Sequence, residues 1–151
     1  MSKRTNLRKE KFLQGQKQFG AFYDEHSKWI RFNFKFYSFG DKQGESFEEW
    51  EKEQILAELN NKLKDYCSKS KIELINDSIL ELYSNYPVDS GYDMPKALEG
   101  MNVQWARLSI TGRRRLIGFF IKDEVDADVN VFYIVFLDKN HRFAPSKKKH
   151  T

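Results

Sequence analysis

Val103-Gln104-Trp105-Ala106-Arg107-Leu108-Ser109-Ile110, then Arg114-Arg115-Leu116-Ile117-Gly118-Phe119-Phe120-Ile121-Lys122, then Asn130-Val131-Phe132-Tyr133-Ile134-Val135-Phe136-Leu137-Asp138: these three late runs decide the fold. Each has the length and the β-branched and aromatic content of a strand. Thr111-Gly112-Arg113 is a tight connection between the first two, and Asp123–Asp128 is an acidic hairpin loop before the third. Consecutive strands with short connections predict an antiparallel meander. The third run is apolar on both faces, which predicts a central place in the sheet.

Working outward, Trp29–Phe39 alternates Ile30, Phe32, Phe34 and Phe36 with Arg31, Asn33 and Lys35, the period of a fourth strand. Gly40–Gly44 reads as a turn. Ser46 with Glu49 forms a capping box that opens a helix over Phe47–Cys67, whose apolar stripe is Trp50, Leu56, Leu59, Leu63 and Tyr66. Ser78 with Glu81 predicts a second, short helix that Pro87 ends. Residues 87–101 read as a loop with one helical turn at Pro95–Leu98. The fold class expected is α+β: an antiparallel four-stranded sheet in the order strand–helix–helix–strand–strand–strand. Helices pack on one face and the other face is open. Residues 1–20 are expected to be a basic flexible arm, anchored by Phe12, Leu13 and Phe19 and helical at most over Leu7–Gln18. Residues 21–143 form one domain and residues 144–151 a basic tail.

Charge is unevenly placed. The net charge is +4, but residues 1–19 and 106–151 each carry +5 and the middle carries −6. Clustering of this kind suits a polyanion partner; residues 1–19 read as a solvated tail, whereas in the C-terminal third the charges are interleaved with strand patterns and favour the polyanion reading. The single cysteine, Cys67, excludes an intrachain disulfide and is read as a packing residue. No apolar run reaches the ~20 residues of a membrane span. The basic N-terminus lacks the apolar core of a secretory signal, so a cytoplasmic location is expected. No histidine has a partner at metal-ligand spacing, and no metal or other cofactor is expected.

Trp105-Ala106-Arg107-Leu108-Ser109, Arg113-Arg114-Arg115-Leu116-Ile117-Gly118-Phe119, Asn130–Leu137 and His141-Arg142-Phe143 together resemble the C-terminal half of RelE-like toxins, over roughly residues 29–143. These are the small basic toxins of bacterial toxin–antitoxin modules. The resemblance implies a metal-independent RNA endonuclease acting on mRNA, including ribosome-bound mRNA. It also implies an antitoxin as protein partner.

The residue chemistry fits such a reaction. Cleavage by the 2′-hydroxyl builds charge on the phosphate oxygens, where fixed cationic donors contribute most. Arginine grips phosphate bidentately, and histidine exchanges protons near neutral pH. His141 is therefore the candidate acid/base, with Arg107 and Arg114 or Arg115 as phosphate clamps. Arg113, Lys122, Arg142, Lys147, Lys148 and Lys149 are candidate nucleic-acid contacts. Two other readings compete with this one: a noncatalytic nucleic-acid-binding module and a protein-interaction module on the same scaffold.

Overall fold

The computed structural model describes residues 3–26, 28–37, 43–122 and 128–145. Its elements run α1 (Lys3–His26), β1 (Arg31–Asn33), α2 (Phe47–Lys52), α3 (Leu56–Tyr66), α4 (Lys71–Asn76), β2 (Leu80–Leu82), a 3₁₀ turn (Lys96–Leu98), β3 (Val103–Thr111), β4 (Arg114–Ile121) and β5 (Val131–Asp138). The α+β class holds. The sheet differs from expectation: it has five strands, ordered β1-β5-β4-β3-β2. The three long strands form the expected antiparallel meander, but β1 adds to the free edge of β5 in the parallel sense. About a hundred residues separate β1 from β5, so no hairpin constrains their relative direction.

The strand expected over Trp29–Phe39 survives only as three residues. The Asn33 side chain accepts a hydrogen bond from Lys35 N at 2.8 Å, and Tyr37 N donates to Phe34 O at 3.0 Å. This asparagine-nucleated turn competes with the ladder and wins. Phe34 and Phe36 then serve different places: Phe34 meets Phe47, while Phe36 meets Phe119 and Tyr133. Residues 38–42, which hold part of the expected turn, lie outside the described residues.

The helix expected over Phe47–Cys67 is two helices. Ser46 accepts from Glu49 N at 3.1 Å, so the cap is as expected. The break comes at Gln54, which has φ +62°. Cys67 follows α3 as an exposed thiol, not a packing residue. The short helix expected from Ser78 is replaced by β2. The same Ser-x-x-Glu pattern occurs earlier at Ser70, which accepts from Glu73 N at 3.3 Å and opens α4. Ser78 instead takes φ +60°, and the chain enters β2 directly, pairing Leu80 with Leu108 and Glu81 with Arg107. A strand satisfies the otherwise bare edge of β3, which a local capping box cannot do. At the N-terminus the helix runs Lys3–His26, longer than expected, and the expected anchors Phe12 and Leu13 are exposed, while the Phe19 side chain lies outside the described residues.

Two apolar layers flank the sheet. On one face Trp50, Leu59, Leu63, Tyr66 and Leu74 pack on Leu108, Leu116, Phe120, Phe132 and Leu137. On the other, Trp105, Ile117, Phe119, Val135 and Phe136 lie under Tyr92, Leu98 and Phe143, with Tyr83 and Tyr86 at the margin. Each such side chain contributes about 1.5–3 kcal/mol on burial. The second face, expected to be open, is thus covered. The chain over residues 83–101 covers most of it, because those five apolar side chains cannot be left in water. What stays uncovered is the end of the sheet where the 112 turn and the 139–142 turn meet.

Candidate nucleic-acid interface

That uncovered end is organised by one carboxylate. Asp138 closes β5 and is only 1% exposed. Its Oδ1 accepts from Arg142 N at 3.0 Å and from the Tyr92 hydroxyl at 2.9 Å. Its Oδ2 accepts from Phe143 N at 3.0 Å. Two main-chain amides on one side chain fold the following residues into a tight turn. Within it His141 adopts the left-handed conformation, φ +57°. This brings the imidazole Nδ1 to 3.4 Å from Arg107 NH1.

The contact has a chemical consequence. A guanidinium only donates, so Nδ1 accepts and the ring proton sits on Nε2. Burial lowers the His141 pKa, and Arg115 and Arg107 lower it further. The ring is therefore neutral at neutral pH. Arg107 is also held by its cross-strand partner: NH2 lies 2.5 Å from Glu81 Oε2. That pair is partly exposed and worth about 0–1 kcal/mol, so its effect is orientation more than stability.

Arg115 sits across the ladder from Ser109 and Asp138, two residues from Ile117 and hence on the same face as Arg107. It donates to Gly112 O at 2.7 Å and Arg114 O at 3.0 Å. Its Nε is buried and finds no partner among the described residues. The same is true of the Tyr83 hydroxyl, whose pKa burial pushes up to about 12 while Arg107 opposes the rise. A buried donor without an acceptor costs about 1–3 kcal/mol, and Arg114 Nε, on the opposite face, is unsatisfied in the same way. Arg113 in the turn and Arg142 beyond His141 are exposed beside the cluster, and Arg142 lies 5.6 Å from the Tyr92 ring centre.

The sequence-predicted residues divide accordingly. Arg107, Arg115 and His141 come together, with Arg113 and Arg142 at their margin. Arg114 does not join them. Strand alternation sends it to the helix-covered face, where it donates to Glu53 Oε2 at 2.6 Å, and Lys139 bonds to the other oxygen of that carboxylate. Arg114 first, then Lys139, holds the Glu53 carboxyl below its usual range. Lys122 ends up beyond the far end of β4, roughly 23 Å from Arg115 by strand rise. It lines a separate cavity of about 200 Å³ with Tyr83, Tyr86 and Trp105. Lys147, Lys148 and Lys149 lie outside the described residues.

Sequence reading missed Glu81, Tyr83 and Asp138. The first two were hidden by the expected helix; as a strand, Glu81 and Tyr83 fall on the face of Arg107. Asp138 was visible as the lone carboxylate closing an apolar run. Among the described residues no group of three or more His, Cys, Asp or Glu is placed to hold a metal ion, and no described helix is long and apolar enough to cross a membrane. A larger cavity, about 770 Å³, lies between Lys35–Tyr37 and Asp93–Leu98, but it brings together neither arginine nor histidine. No protein-family model, no curated protein and no solved structure matches this chain.

Proposed function

We propose that the chain binds RNA at the Arg107–Arg115–His141 cluster and cleaves it without a metal ion, in the manner of the RelE-like toxins it resembles, with mRNA as substrate. The observation that supports this is the 3.4 Å approach of Arg107 to His141 on a partly exposed surface, where burial, Arg115 and Arg107 lower the His141 pKa. A scissile phosphate attracts Arg107 and Arg115, and the departing guanidinium frees Nδ1. Nδ1 then takes the proton of the 2′-hydroxyl as the 2′-oxygen attacks phosphorus. The bond from phosphorus to the 5′-oxygen breaks, and the imidazolium returns its proton to that oxygen. The products are a 2′,3′-cyclic phosphate and a 5′-hydroxyl. Arginine stabilises the added phosphate charge at the moment it forms.

The test is expression of the wild-type chain and of Arg107→Ala, Arg115→Ala and His141→Ala. Wild type is expected to arrest growth and to generate cyclic-phosphate ends on cellular mRNA, also in vitro with EDTA present. Each variant is expected to relieve the arrest. Intact mRNA under wild-type expression refutes the reading. One observation favours noncatalytic binding on the same surface: Arg107 already has a carboxylate partner in Glu81 and blocks Nδ1. In that case RNA binding weakens steeply with salt and no product forms.

A further inference from the structure

The phosphate chemistry above leaves the cavity beside Tyr83 without a role. It opens between residues 84–102 and the edge formed by β2 and β3, and its lining includes Asn85, Tyr86, Asn102, Trp105 and Lys122. We propose that this cavity seats one nucleobase of the RNA, next to the phosphate held by Arg107; the adjacency rests on the function proposed above.

Size argues for a single base. Pockets for drug-sized ligands run about 300–1,000 Å³, and this one, at about 200 Å³, is smaller. Tyr83, Tyr86 and Trp105 are its aromatic lining residues, and Met94, Leu98, Met101 and Val103 complete an apolar wall. Tyr83 and Tyr86 are half-buried, and Trp105 backs Tyr86 edge-on at 5.0 Å. An aromatic ring that lines a cavity can stack on any base, whatever the sequence. Its rim is polar: Asn85 and Asn102 are exposed, and each amide offers both a donor and an acceptor to a base edge. Lys122 supplies a cation on that rim, and the guanidinium groups of Arg107 and Arg115 lie past Tyr83, whose phenol feels both. A polyanion therefore meets positive charge on either side of the cavity.

Spacing agrees. Trp105 and Arg107 are two residues apart on one face of β3, about 7 Å along the strand, a separation that one nucleotide unit bridges. The walls are also braced. The Tyr86 hydroxyl donates to Tyr92 O at 2.7 Å, and the Tyr92 hydroxyl in turn donates to Asp138. A braced pocket spends less of its binding energy on ordering itself.

The experiment titrates the full chain with each of the four ribonucleoside 5′-monophosphates and follows the Trp105 indole N–H and the amides of Asn85, Asn102 and Lys122 by NMR. Shifts are expected at those groups, with about a tenfold difference in Kd between the best and worst base. Ser84→Phe, at an exposed position on the cavity lining, is expected to abolish the shifts, and Asn85→Ala to change the ranking of the bases. Absence of shifts at the cavity overturns the proposal, and so do shifts that persist unchanged in Ser84→Phe. Salt-dependent binding of an oligoribonucleotide is measured separately. Loss of that binding with the cavity shifts intact refutes the RNA reading and leaves a base site. The reverse result removes the base site alone.

Discussion

The Tyr92 hydroxyl donates to Asp138 Oδ1 at 2.9 Å, joining residues 46 positions apart and tying the chain that covers the second sheet face to the turn that carries His141. Both residues are buried. Tyr92→Phe is expected to destabilise the fold by about 1.5–3 kcal/mol, the usual loss for a hydrogen bond to a charged group. Asp138→Ala should cost more, since it also leaves the Arg142 and Phe143 amides without their acceptor. Urea denaturation of the two variants checks both the size and the order.

His141 makes stability depend on pH in a predictable direction. Its folded pKa is depressed, so the unfolded chain binds the proton more readily. The native state is therefore fully favoured above the unfolded value, about 6.5, and loses stability as pH falls from there through the lower folded value. His141→Gln should flatten that part of the curve. Thermal melts of both proteins between mildly acidic and neutral pH measure the difference.

Three consecutive arginines should give three phenotypes. Arg114→Ala removes a Glu53 contact on the helix-covered face and is expected to lower stability while leaving the proposed RNA binding near wild type. Arg113→Ala leaves stability unchanged and reduces the slope of log affinity against log salt by about one, as loss of one phosphate contact does. Arg115→Ala is expected to reduce binding and to raise the His141 pKa toward its ordinary value, because Arg115 is among the charges that lower it. Binding titrations at several salt concentrations, with NMR of the His141 ring, separate the three.

Gly118 sits where the pairing of β4 with β5 slips by one residue. A Cβ there would overlap the Tyr133 carbonyl oxygen and press on the Phe132 ring. Gly118→Ala is expected to cost about 3 kcal/mol or more, because main chain in mid-sheet cannot yield. Chemical denaturation reads the loss directly.

Ser70→Ala removes the cap of α4 and should cost about 1 kcal/mol. Ser78→Ala removes a hydroxyl that caps no helix and should cost far less. Comparing the two by denaturation shows which of the neighbouring Ser-x-x-Glu patterns the fold uses.

Much of the architecture was legible because it is written in local periodicity. The meander of β3, β4 and β5, the tight turn at Gly112, the cap at Ser46 and the helical turn near Leu98 are each encoded within a dozen residues. Opposite faces for Arg114 and Arg115 follow from strand alternation alone. What failed were readings in which a local signal met a distant competitor. Ser78 and Glu81 spell a helix start, but the bare edge of β3 claimed the segment as β2. Phe34 and Phe36 spell a strand, but the Asn33 turn broke it and distributed the two rings separately.

The candidate site shows the same division. Sequence alone determined that arginines and a histidine would crowd the late strands, since charge and strand pattern are both properties of the linear chain. Tertiary structure alone decided which of them meet. Arg107 and His141 are 34 residues apart, and their contact depends on the buried Asp138 turn and the left-handed backbone at His141. Sidedness and distance between remote segments arise from packing the two apolar faces of the sheet, which no single stretch of sequence contains.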